Sequence, residues 1–96
     1  MDNQHKKIIG YRDLTEAEIA LMNKIKTKGH ELNELLTEVR AHLQGQYVAL
    51  NATDTAEAER TRLDHAEPHR WLAVARTDFQ TGLMAAVRAV AQQGSF

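Results

Sequence analysis

The chain has 96 residues with 12 basic and 13 acidic side chains, a formal net charge of −1, one proline and no cysteine. Charge this close to neutral argues against a general duplex nucleic-acid binder, which needs a strongly basic face. The missing cysteines rule out disulfides and thiolate metal centres, and the length makes one domain over residues 1–96 the default.

The opening segment, MDNQHKKIIG, lacks the apolar run of a signal peptide, and no stretch approaches the roughly 18 apolar residues of a membrane span. A soluble, cytoplasmic protein is expected. Residues 1–12 read as extended or irregular. Thr15-Glu16-Ala17-Glu18 then fits a capping box, with Thr15 as N-cap, Glu18 reaching back and Leu14 placed to staple the helix entry. Apolar residues recur in steps of three and four at Ile19, Met22, Ile25, Leu32, Leu35, Leu36, Val39 and Leu43. That period predicts one long amphipathic helix, running to about Tyr47 or Leu50. Gly29 interrupts it at a cost of about 1 kcal/mol relative to alanine, so it marks a bend or a close approach of backbone to a neighbour.

Asn51 to Thr55 reads as a turn, and Asp54-Thr55-Ala56-Glu57 as a new helix start. A second helical stretch continues to about Gln92. Pro68 lacks a backbone donor and crowds the preceding turn, so a kink or break is expected near residues 66–67. From Trp71 to Ala91 the apolar residues occupy more than one stripe, including Trp71, Leu72, Val74, Phe79, Leu83, Met84, Val87 and Val90. A two-helix hairpin covers only one side of such a helix. The leftover surface predicts a homo-oligomer in which several all-α hairpins build a shared, compact core.

The chemistry is concentrated in KKIIGYRDLTEAEIALMNKIK, residues 6–26. Tyr11 and Arg12 precede the helix, while Asn23 and Lys26 lie one turn apart on it and project from similar sides. An aromatic ring beside fixed positive charge suits a small phosphate-bearing ligand with a stackable base. The plain alternatives are a tyrosine packed at a helix entrance and lysines on a solvated face. Arg70, next to Trp71, has a plain reading as a stacked arginine or a partner of Glu67. In an oligomer it would instead form a ring of positive charge suited to a cyclic anion.

Catalytic and metal chemistry find little support. His65 and His69 stand four apart, but Pro68 lies between them and HAEPH is not the HExxH zinc arrangement. Ser95, Thr77 and Thr81 lack a sequence-evident base, and the carboxylates form no pattern for two-metal phosphodiester hydrolysis. No cofactor is called for.

GYRDLTEAEIALMNKIK, PHRWLAVARTDFQTGLMAAVRAVAQ and the terminal Phe96 together resemble the second type of phage anti-CBASS cyclic-oligonucleotide sponge. CBASS is a bacterial defence in which infection triggers a cyclic-nucleotide alarm. The resemblance implies a helical homohexamer that sequesters cyclic dinucleotides, and in some members cyclic trinucleotides, without degrading them. It implies base stacking by Tyr11, phosphate contact by Lys26 and a trinucleotide role for Arg70. The rivals are a phosphodiesterase acting on the same signals and a helical assembly module with no nucleotide ligand.

Overall fold

A computed structural model describes residues 13–53 and 56–92. Three helices follow in order: α1 (Glu16–Asn51), α2 (Glu57–Ala66) and α3 (Pro68–Ala91). Among the described residues there is no strand. α1 runs out, the chain turns, and α2 and α3 return alongside it, with the main packing between α1 and α3.

The start of α1 is the expected capping box. Thr15 Oγ1 accepts from the Glu18 amide at 3.1 Å, and Glu18 Oε1 accepts from the Thr15 amide at 2.8 Å. Two otherwise orphaned donors are satisfied, and Glu16 and Glu18 place negative charge at the positive end of the helix. The far end of α1 carries no basic residue in its last turn. Arg60 of α2 supplies the missing charge, donating from Nη2 to the Leu50 carbonyl at 2.8 Å. One guanidinium therefore satisfies a helix-end acceptor, complements the negative end of α1 and ties the turn shut.

The N-cap of α2 is Ala56, which makes no side-chain capping bond. Asp54 and Thr55, the expected capping residues, lie outside the described residues. The break before Pro68 falls where predicted. Glu67 adopts left-handed backbone angles, φ 48° and ψ 54°, and serves both as the C-cap of α2 and the N-cap of α3. Pro68 takes the first helical position, where its missing donor would have no intrahelical partner anyway. The return arm is thus two helices meeting at one strained residue.

Gly29 is a close approach. A Cβ built there would lie 3.2 Å from Leu83 Cδ1 of α3, so glycine lets the two arms come together at this level.

The hairpin measures 69 × 22 × 15 Å and has a Cα radius of gyration of 21.1 Å. A globule of about 100 residues would have roughly 13 Å. Its interior is correspondingly thin. Leu36, Leu43, Leu50 and Leu63 are the buried apolar residues among those described, and none belongs to α3. The apolar stripe of α1 divides: Leu36 and Leu43 face inward, whereas Ile19, Leu35 and Val39 stay exposed, as do Trp71, Phe79 and Met84 of the opposite arm.

Candidate functional site

A recess of about 550 Å³ lies where the first half of α1 passes the last half of α3. Its floor is apolar: Met22 and Ile25 from α1, Leu83, Met84 and Val87 from α3. Asn23, Lys26 and Arg88 supply its polar groups. Helical spacing explains the arrangement. Met22, Ile25, Lys26 and Gly29 follow one face of α1 in steps of three and four, and Leu83, Val87 and Met84, Arg88 are two such pairs on α3. Gly29 draws the helices together at the inner end, where the recess continues into a smaller one of about 260 Å³ shared by Lys26, Gly29 and Leu83.

An apolar floor edged by an amide, an ammonium and a guanidinium accommodates a flat ring with an anionic substituent. A ring placed there would be desolvated against Ile25, Leu83 and Val87 with charge kept at the edge. Among the described residues Lys26 pairs with no carboxylate, so its ammonium is available. The Asn23 carbonyl accepts from Thr27 Oγ1 at 3.0 Å, which leaves the Asn23 side-chain amide uncommitted by that bond.

Asn23 and Lys26 therefore line one recess, as their spacing predicts. Tyr11 and Arg12 lie outside the described residues. Arg70 is elsewhere. It sits in the first turn of α3, eighteen residues and about 27 Å of helix from Arg88. Its Nη1 lies 3.5 Å from Glu67 Oε2, and its guanidinium carbon lies 5.1 Å from the centre of the Trp71 ring. Both plain readings of Arg70 hold within the single chain.

Arg88 is the groove cation that sequence reasoning passed over, together with the apolar side chains Leu83, Met84 and Val87. Leu83, Met84 and Val87 were read only as part of the apolar stripes, and Arg88 was given no role of its own. Its position opposite Lys26 follows from the antiparallel register, which a Gly29–Leu83 crossing could have supplied.

His65 closes α2 and His69 opens α3, with the left-handed Glu67 between them, and His69 stacks on Tyr47 with centroids 5.4 Å apart and an interplanar angle of 22°. No group of three or more potential metal ligands occurs among the described residues. Glu59 is held below its ordinary range chiefly by a hydrogen bond from Arg62, and the same bond raises Arg62. This is an exposed pair one turn apart on α2, so the perturbation is a surface effect. No helix of the described residues is long and apolar enough to cross a membrane.

Comparison with known proteins gives two findings. The family model of the Acb2/Tad1 hairpin domain matches residues 3–91. Anti-CBASS protein 2 of Pseudomonas phage JBD67 is 43% identical over 104 aligned positions, covering 96% of this chain and 96% of the relative.

Proposed function

The chain belongs to the Acb2/Tad1 hairpin family, and we propose that it is a phage anti-CBASS protein that binds and sequesters cyclic dinucleotide messengers without degrading them. The observation that carries this reading is the recess holding Asn23 and Lys26 over an apolar floor, in a chain whose near-full-length relative is an anti-CBASS protein. CBASS depends on a diffusible cyclic nucleotide, and holding that molecule intact is enough to silence it.

In this reading the base lies over Ile25, Leu83 and Val87 and stacks on Tyr11, while Lys26 and Arg88 face the phosphates and Asn23 and Arg12 complete the polar contacts. Two copies of the site, brought together by two protomers, match the two bases and two phosphates of a two-fold symmetric ligand. Matched symmetry doubles every contact without lengthening the chain. A nanomolar complex needs roughly 12 kcal/mol, and two stacked bases at about 1–3 kcal/mol each plus charge-assisted phosphate contacts supply a large part of it.

The exposed apolar faces, with Trp71 58% and Met84 69% exposed, support assembly of hairpins into a homo-oligomer, for which we adopt a hexamer. Within that assembly Arg70 is assigned to a cyclic trinucleotide pocket, exchanging its Glu67 partner for phosphate. The site of action is the host bacterial cytoplasm, where such messengers are made. One domain, residues 1–96, carries the whole activity.

Incubation with a cyclic dinucleotide followed by proteolysis and chromatography tests the mode of action. Recovery of intact ligand is expected. Linear product would establish a phosphodiesterase instead.

A further inference from the structure

Midway along the hairpin lies another recess, about 420 Å³, lined by Arg40 of α1 and by His69, Arg76 and Thr77 of α3. We propose that this recess is an anion-binding site for a phosphate-bearing small molecule, separate from the groove at Asn23 and Lys26.

Three observations support it. First, the polar lining carries positive charge and no carboxylate: two guanidinium groups, an imidazole and a hydroxyl share it with only Leu72 and Ala73. Second, the two arginines have no carboxylate partner among the described residues. Lys28, Arg62 and Arg70 each pair with a glutamate on their own arm, whereas neither Arg40 nor Arg76 is in an ion pair among the described residues. Two guanidinium groups facing one recess with no carboxylate between them set up a local positive potential that favours an anion. Third, the donors are oriented. Asn33 Oδ1 accepts from Arg76 Nη1 at 3.2 Å, which uses one donor of five and fixes the direction of the fork. The His69 ring is held nearly flat against Tyr47. A bidentate pair of forks with a ring N–H and a hydroxyl beside them matches the oxygens of a diphosphate better than it matches a carboxylate. The helix register sets this up: His69, Ala73, Arg76 and Thr77 recur at steps of three and four on α3, across from Arg40.

The experiment is an NMR titration of the full chain with inorganic pyrophosphate at fixed ionic strength, following the side-chain Nε–H signals of arginine and the His69 ring. Saturable shifts at Arg40, Arg76 and His69 are expected. Arg40→Gln and Arg76→Gln should each weaken binding by about tenfold or more, as expected for losing a charge-assisted contact. Lys26→Ala should leave it within about twofold, since that lysine does not line the recess of Arg40, His69 and Thr77, although Arg76 also borders the smaller recess that Lys26 shares. Arg40→Lys should fall between, because an ammonium keeps the charge and loses the fork. The Arg40 side chain makes no hydrogen bond or ion pair among the described residues, so Arg40→Gln tests the site even where Arg76→Gln disturbs packing through Asn33. Absence of saturable shifts, or equal affinity in wild type and both glutamine variants, would overturn the proposal. So would an equal loss on Lys26→Ala, which would mean that pyrophosphate occupies the other groove.

Discussion

At Gly29, helix propensity and packing act in opposite directions. Alanine there would gain about 1 kcal/mol of intrinsic helix stability. Its Cβ would also meet Leu83 Cδ1 at 3.2 Å, closer than ordinary contact, at the free end of a side chain that also lines the groove. Gly29→Ala should therefore stabilise the protein by less than the full propensity difference. In a Leu83→Ala background the same change should recover about 1 kcal/mol, and a urea-denaturation double-mutant cycle measures the difference. Lys26 differs in kind. Its side chain is exposed and, among the described residues, unpaired, so Lys26→Ala should leave the urea midpoint nearly unchanged. Calorimetry should show its cyclic dinucleotide affinity reduced by tenfold or more, as expected for a lost charge-assisted contact.

At the scale of the element, the weak point is the junction of α2 and α3. Glu67 holds left-handed backbone angles that cost a residue with a Cβ roughly 1–2 kcal/mol, and its ion pair with Arg70 is exposed and contributes little. Glu67→Gly should therefore raise the thermal midpoint, with the gain limited by glycine's greater freedom in the unfolded chain. α2 itself is ten residues long and is anchored by Leu63, the most buried of the core leucines, and by the Arg60 bond to Leu50. Leu63→Ala should cost about 2–3 kcal/mol in chemical denaturation at fixed protein concentration. Helix limits were legible in the sequence wherever the signal was local. Thr15-x-x-Glu18 announced its capping box, and Pro68 announced a break because its ring excludes the preceding turn. The fold of the return arm was legible as far as those breaks. What was not legible depended on register across the hairpin: Arg60 reaching Leu50, Arg76 reaching Asn33, and Arg88 lining the recess of Lys26. No period within one strand of sequence encodes which residue of α3 lies opposite which residue of α1. Asn23 and Lys26, three apart on one helix, were legible for the converse reason.

At the scale of the molecule, an elongated hairpin with four buried leucines among its described residues leaves much of its apolar surface to solvent. Leu35, Val39, Trp71 and Phe79 border one open groove between the arms. Hairpins that bury such grooves against one another gain the core that each lacks. Sedimentation equilibrium should accordingly report a multiple of the 10.8 kDa chain, and Trp71→Lys should shift it toward the monomer. We propose above all that assembled hairpins capture an intact cyclic messenger in the Asn23 and Lys26 recess. Isothermal titration calorimetry of the purified wild-type protein against a panel of cyclic dinucleotides, with Lys26→Ala alongside, tests it most directly. Tight, saturable heat with at least one ligand, weakened by the substitution, is the predicted result. No heat with any of them, or undiminished heat in the variant, would contradict it.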